Sequence, residues 1–134
     1  MATFSIQISS LYIGLLALLV LALAILVVKN RARFKVGIGD GGNEPLTLAI
    51  RTHANAVEYV PIALLALVAL ENTWQLPWLT HLMGSTLFLG RILHAIGLSQ
   101  TGGESKPRFY GTVLTWLMIL ISAGAVVIYS LLGG

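Results

Sequence analysis

The sequence predicts an all-α integral membrane protein, a bundle of four transmembrane helices in which residues 1–134 form one domain. Its mean hydropathy is +0.88 and 10% of its residues are charged. A soluble domain of this length needs a far more polar exterior. Four apolar stretches lie at about residues 10–28, 46–70, 76–98 and 107–132, and each reaches the roughly 20 residues that a helix needs to cross a bilayer. Because the connections are short, consecutive spans are expected to be antiparallel neighbours.

The first stretch is interpreted as a transmembrane helix and not as a cleaved signal peptide. Ala22 and Ala24 form an Ala-x-Ala pattern, but residues 1–10 contain no Lys or Arg. The apolar run is also too long, and the basic segment 29–35 follows it as a stop-transfer flank.

The distribution of basic residues predicts the orientation. Two connections hold six of them: Lys29, Arg31, Arg33 and Lys35 between the first two spans, and Lys106 and Arg108 between the last two. The connection at 71–75 and both terminal segments have none, so both termini are predicted on the outer side, where Trp74 and Trp78 suit an interfacial belt. The net charge of +3 therefore reflects topology, and no nucleic-acid partner is expected.

The remaining spans carry local signals. Pro61 removes a backbone hydrogen bond inside the second span and is expected to bend it. The glycine-rich segment 37–43 before that span is interpreted as a turn, because a phosphate-binding loop needs a preceding strand and a Lys. Pro107 suits the first turn of the fourth helix, with Ser105 as its N-cap. Five glycines are expected to allow close helix approach: Gly84, Gly90, Gly97, Gly111 and Gly124.

A charged stripe interrupts the second span. Arg51, Asn55 and Glu58 stand at i, i+4 and i+7, so at 100° per residue they fall within about 60° of one another on a stripe about 10 Å long. The third span adds Arg91 and His94 in its cytoplasmic half. The spans therefore bring these polar groups to a similar depth.

The charges in this region do not balance. Arg51, Arg91 and Arg108 face a single acid, Glu58, and each intramembrane charge costs at least about 2.5 kcal/mol, so none is expected to face lipid. A purely structural ion-pair network is the alternative, but the surplus favours an anionic ligand. Guanidiniums bind carboxylates and Glu58 can bind an ammonium, so a small peptide such as glutathione fits.

Other chemistry is less favoured. The chain has no cysteine, so any thiol must arrive with a ligand. Three histidines could act as metal ligands: His53, His81 and His94. Only His53 and His94 could share a depth with Glu58, and the surplus Arg residues would repel a cation. No metal site is predicted.

The segment 51–61 reads Arg-Thr-His-Ala-Asn-Ala-Val-Glu-Tyr-Val-Pro and resembles the Arg-x-x-x-Asn-x-x-Glu-(Tyr)-x-Pro signature of MAPEG, the membrane-associated proteins of eicosanoid and glutathione metabolism. Segments 39–42 and 90–94 resemble its bacterial branch. The resemblance extends over nearly the whole chain in the number and spacing of spans. It implies a homotrimer in the bacterial inner membrane, with glutathione bound between neighbouring subunits and open to the cytoplasm.

The resemblance also assigns roles to residues. The glutathione-binding set it implies is Arg51, His53, Asn55, Glu58, Tyr59, Arg91 and His94, with His53 facing the adjoining subunit. In family enzymes an Arg at the cytoplasmic end of the first or fourth span stabilises the glutathione thiolate. Arg108, Arg31 and Arg33 are the three candidates, and the sequence does not choose among them. A guanidinium and a helix N-terminus both favour the thiolate over the thiol.

The resemblance implies a glutathione transferase or peroxidase that acts on apolar electrophiles or lipid hydroperoxides from the membrane. Leu98 stands where several family enzymes have a Tyr, and Tyr110 only lies near the position of another, so eicosanoid synthesis is less expected. One alternative is a non-catalytic protein that binds glutathione or lipid on the same scaffold. A small multidrug exporter is least favoured, because that class uses a Glu in its first span and none is present here.

Overall fold

The computed structural model describes residues 4–133, which form four α-helices and, within that range, no strand. The helices are α1 (Gln7–Phe34), α2 (Glu44–Trp74), α3 (Pro77–Gln100) and α4 (Lys106–Leu131). All four are long and apolar enough to cross a membrane. The predicted fold class and the number of spans are therefore confirmed, and each helix begins or ends a few residues beyond the predicted span because polar residues continue its turns.

The bundle is built around α2 and α3. Helix α1 packs against α2 and α3 on one side and α4 packs against the same two helices on the other, so α1 and α4 do not meet. Each helix contributes fully buried side chains to one apolar core, among them Leu16, Leu67, Leu87 and Met118. Large apolar side chains also cover the outer surface, as expected for helices in contact with lipid.

Glycines bring the helices close together at four of the five predicted positions. A Cβ on Gly84 would collide with the ring of Tyr12, and one on Gly97 would meet the backbone of Arg108. Gly90 and Gly111 face each other where α3 crosses α4. The prediction for Gly124 is wrong within this chain, since nothing lies within 4 Å of the position its Cβ would take.

The start of α4 follows the sequence prediction. Ser105 is its N-cap, and its hydroxyl accepts a hydrogen bond from the Arg108 N–H at 3.5 Å. Pro107 lies in the first turn. Helix α2 continues through Pro61 to Trp74.

The two ends of the bundle differ in charge. The basic end holds the α1–α2 and α3–α4 connections, and all eight Lys and Arg residues lie in that half of the bundle. The opposite end holds the α2–α3 connection, near which the exposed Trp74 and Trp78 lie. This connection consists of Gln75 and Leu76 alone, so the predicted boundary at 71–75 is wrong by one helical turn.

The last turn of α2, which the sequence prediction placed in the connection, contains Glu71. Its side chain belongs to the last turn of α2 and is 6% exposed, and its carboxylate faces the first turn of α1. It accepts hydrogen bonds from the backbone N–H of Ile8 at 3.0 Å and of Ser9 at 2.9 Å, and also from the Ser9 hydroxyl. Because Ile6 at the N-cap offers no side-chain cap, Glu71 performs that function from another helix.

Candidate functional site

The predicted stripe on α2 lies on one face of the helix, but its members have two different environments. Arg51 and Glu58 point away from the bundle, and their side chains are 56% and 55% exposed. Asn55 and Tyr59 are half-buried and face α3 and α4. The stripe therefore lies along an edge of the bundle, with one half open and the other packed.

The open half holds one ion pair. Arg51 Nη2 lies 3.9 Å from Glu58 Oε1, one contact at the long limit for such a pair. A bidentate Arg–carboxylate pair is shorter and uses two parallel N–H groups. Most donors of Arg51 and most lone pairs of Glu58 are consequently free to bind another molecule.

The packed half is centred on Arg91, whose side chain is 2% exposed. Its Nη2 donates to Asn55 Oδ1 at 2.6 Å and also lies 3.3 Å from His94 Nδ1. No carboxylate of the described residues lies within ion-pair distance of it, and Nε has no hydrogen-bond partner among them. The predicted depth match of α2 and α3 is thus confirmed, with Arg91 and His94 on α3 joined to Asn55 on α2.

Tyr59 connects this group to α4. Its ring lies 5.6 Å from the Arg91 guanidinium carbon, a cation–π distance. Its hydroxyl accepts a hydrogen bond from the indole N–H of Trp116 at 3.1 Å. Sequence reasoning missed Trp116 as a partner of the stripe, because only the packing of α4 against α2 brings the two residues together.

The three candidate arginines for thiolate stabilisation lie in two places. Arg108 is in the first turn of α4, and its Nη1 donates to the carbonyls of Gly102 at 3.2 Å and Gly103 at 3.3 Å. Its backbone packs against Gly97, one turn of α3 beyond His94. Within the chain, Arg108 is therefore the candidate on the α4 side of the Asn55–Arg91 group.

The other two candidates lie at the end of α1, which does not contact α4. Arg31 donates to the carbonyl of Gly39 at 2.9 Å and to that of Val36 at 3.3 Å, so it stabilises the α1–α2 connection. Arg33 is exposed and lies over the ring of Phe34 at 5.3 Å. His53 is half-buried on α2 and makes no hydrogen bond with any described residue.

A groove runs along the outer face of α4 beside this region. Its volume is about 1030 Å³, and it extends from Gly102 to Trp116. Two basic residues, Lys106 and Arg108, and the acid Glu104 line its end in the α3–α4 connection. The exposed aromatic rings of Phe109, Tyr110 and Trp116 line the rest. An apolar molecule could lie there with a polar end toward the basic end of the bundle.

Comparison with known proteins identifies the family. The profile of the MAPEG family matches residues 9–128. The chain belongs to the MAPEG family. The inner membrane protein YecN of Escherichia coli strain K12 is 36% identical over 115 residues, which cover 86% of each chain. YecN of a second Escherichia coli strain, O6:H1, matches with the same figures.

The MAPEG assignment agrees with the residues that carried the resemblance. At the level of the family, it makes the chain a glutathione-related membrane protein. The matched range includes the whole α2 stripe, Arg91, His94 and Arg108. In this MAPEG member the signature residues Arg51 and Glu58 form the open half of the stripe, whereas Asn55 and Tyr59 form the packed half.

Proposed function

We propose that this MAPEG protein binds glutathione and transfers it to apolar electrophiles, or uses it to reduce lipid hydroperoxides, in a bacterial inner membrane. The observation that carries the proposal is the uncompensated positive charge around the stripe. Among residues 4–133, Arg91 is buried without a carboxylate, and Arg51 has one distant contact with Glu58. A buried guanidinium without an anion nearby is costly, so an anionic ligand bound beside the Arg91 group would lower that cost.

The side chains at the stripe fit glutathione group by group. The open Arg51 suits a carboxylate, and Glu58 suits the ammonium of the γ-glutamyl residue. Asn55 and Tyr59 offer polar contacts between them. When bound, glutathione supplies the thiol that this cysteine-free chain lacks.

Arg108 is the candidate in this chain best suited to favour the thiolate. It lies at the N-terminus of α4, where the positive end of the helix dipole acts in the same direction as its guanidinium. Arg31 and Arg33 lie on the far side of the chain, so they would serve only a site on a neighbouring subunit. Their role therefore depends on the oligomer.

The exposed half of the stripe supports a homotrimer. Arg51 and Glu58 are more than half exposed on a helix that crosses the membrane, and a charge that faces lipid costs at least about 2.5 kcal/mol. A neighbouring subunit that covers this edge would remove both charges from lipid and complete the glutathione site. With the basic end in the cytoplasm, the site would open toward cytoplasmic glutathione.

The groove along α4 supports an apolar second substrate. Its exposed aromatic lining is open to the surface that faces lipid, so an electrophile dissolved in the bilayer could enter without crossing water. Its basic end lies next to Arg108. The thiol and the electrophile would meet at that end of the groove.

Calorimetric titration of the detergent-solubilised protein with reduced glutathione tests the proposal. Arg51→Ala is expected to weaken binding by about 10- to 100-fold, the effect of one charge-assisted hydrogen bond. Glu58→Ala should weaken it similarly. Glu44→Ala is the control, since Glu44 is an exposed acid in the first turn of the same helix, two turns before Arg51, and the affinity of this variant should equal that of the unchanged protein. If the unchanged protein binds no glutathione, the proposal is wrong.

One observation favours a second function, that of a non-catalytic glutathione- or lipid-binding protein. Arg108 and Arg31 both donate to backbone carbonyls of the connections, and Leu98 provides no hydroxyl near His94. Ultraviolet titration of the thiolate in the complex separates the two functions. A lowered thiol pKa that returns to its free value in Arg108→Ala supports the enzyme, and an unchanged thiol pKa supports the binding protein.

A further inference from the structure

Arg91 has an unusual environment for a guanidinium inside a membrane helix. It is 2% exposed, no described carboxylate pairs with it, and its Nε lacks a partner among residues 4–133. Apolar side chains of similar volume usually stabilise a core at least as well as a buried charge. Stability therefore does not account for an Arg at this position.

The first contact determines which way the Asn55 amide points. A guanidinium has only donors, so the Asn55 atom that lies 2.6 Å from Arg91 Nη2 must be the oxygen. The amide nitrogen then points away from Arg91. It makes no hydrogen bond with any residue that the structure describes, so both of its hydrogens are available.

The second contact determines the tautomer of His94 by the same reasoning. Arg91 Nη2 lies 3.3 Å from His94 Nδ1, and because Nη2 can only donate, Nδ1 accepts. The ring hydrogen is then on Nε2. His94 is 4% exposed, and unlike Arg91 Nε, its Nε2 is not among the fully buried atoms that lack a partner.

Tyr59 completes the pattern. The indole N–H of Trp116 can only donate, so the Tyr59 hydroxyl accepts it and keeps its own hydrogen to donate. Asn55, His94 and Tyr59 thus all present donors, and the residues that impose this are Arg91 and Trp116. A ligand group that takes up these hydrogens would be an acceptor, such as a carboxylate or an amide carbonyl.

We infer that Arg91 is a positioning residue that turns Asn55 and His94 into hydrogen-bond donors for a carboxylate of the bound peptide, without touching the peptide itself. The inference rests on the proposed glutathione function for the identity of the peptide. The donor pattern itself does not depend on it. On this arrangement the acidic part of the ligand lies against the packed half of the stripe, and its ammonium lies toward Glu58 in the open half.

Asn55→Asp is the decisive substitution. An aspartate keeps an oxygen toward Arg91 and gains an ion pair there, but it replaces the outward N–H donors with an acceptor. We expect unfolding in detergent to require the same or more denaturant, while the affinity for reduced glutathione falls about 10- to 100-fold. Asn72→Asp is the matched control. Asn72 binds the backbone of Ser5 at the opposite end of the bundle, so this variant should lose stability and keep its affinity.

A second measurement tests the positioning without glutathione. In ¹⁵N-labelled protein, His94 should show the chemical shifts of a neutral ring protonated at Nε2. The side-chain amide of Asn55 should give one set of signals, because Arg91 holds it in a single orientation. In Arg91→Met both features should be lost while the helices remain folded, because the variant replaces a buried charge with an apolar chain.

The outcomes separate this inference from the proposed function. If Asn55→Asp binds glutathione as tightly as the unchanged protein, or if His94 is protonated at Nδ1, the inference is wrong and the proposed function is unaffected. If the unchanged protein binds no glutathione, the proposed function is wrong, and the NMR spectra alone decide whether Arg91 positions the two side chains.

Discussion

Replacement of Glu71 should destabilise the bundle without affecting ligand binding. Its buried carboxylate caps the first turn of α1 by accepting the N–H groups of Ile8 and Ser9, and it also accepts the hydroxyls of Ser9 and, at 3.4 Å, of Ser5. Glu71→Ala leaves these two backbone donors without a partner. Each such donor costs about 1–3 kcal/mol. Because water at the membrane surface can reach part of this end, we expect a loss of about 3 kcal/mol in the free energy of unfolding.

Glu71→Gln should have an intermediate effect. Oε1 of the glutamate accepts from Ile8 and Ser5, and Oε2 accepts twice from Ser9. A glutamine keeps one acceptor oxygen and places an amide group, a donor, against the other pair of donors. The expected loss is therefore about half that of Glu71→Ala.

Reversible unfolding in mixed detergent, followed by helical circular dichroism, measures both variants. Glu44→Ala is the control, because Glu44 is an exposed acid in the first turn of α2, where loss of its charge costs at most about 1 kcal/mol. Glutathione affinity should be the same in all three variants, since Glu71 lies at the opposite end from the stripe. If Glu71→Ala costs no more than the control does, the carboxylate does not anchor α1 and the reasoning is refuted.

Two further predictions concern packing and pH. Gly84→Ala should lower the free energy of unfolding by about 1–3 kcal/mol, since its Cβ collides with Tyr12. Gly14→Ala is the control and should not lower the free energy of unfolding, because nothing lies within 4 Å of the added Cβ. Hydrogen bonds, first from the Gly42 N–H and then from a hydroxyl on α2, lower the pKa of Asp40 from its ordinary value of 3.8. Because its pKa is lower in the folded chain than in the unfolded chain, ionised Asp40 stabilises the α1–α2 connection at pH values above 3.8. This stabilisation is lost as the pH falls through the lowered pKa of the folded chain. Carboxyl-carbon NMR should therefore show Asp40 titrating below 3.8, and Asp40→Asn should remove the acid sensitivity of the connection.

Features that depend on neighbouring residues along the chain could be predicted from the sequence. The four helices follow from the lengths of the apolar stretches, and the start of α4 follows from Ser105 and Pro107. The alignment of Arg51, Asn55 and Glu58 on one stripe needs only the helical period. The predicted close approach of helices was right at Gly84, which is buried on α3, and wrong at Gly124, where no neighbour lies within 4 Å of an added Cβ.

Contacts between distant helices could not be predicted in this way. Ser9 and Glu71 are 62 residues apart, and the sequence placed Glu71 in a connection because an acid after an apolar stretch usually marks the end of a helix. Tyr59 and Trp116 are 57 residues apart, and a Trp in an apolar span usually faces lipid. Both contacts depend on how the helices are rotated about their axes, which no local pattern determines. The serines near the start of α1 were the one signal that a partner for Glu71 existed.

The division of the stripe follows from this rotation and has a consequence for function. With Asn55 turned toward α3, Arg91 can reach its oxygen, and Glu58, about 60° further around the helix, points away from the bundle. A rotation of α2 by about 60° would instead turn the acid toward Arg91. That alternative would pair the acid within the single chain and leave it unavailable to the ammonium of a ligand. The observed rotation instead keeps Glu58 and Arg51 open on one edge and turns the Asn55 oxygen toward Arg91. Under the proposed function, Glu58 would bind the ammonium of the zwitterionic peptide and Asn55 would donate to its carboxylate.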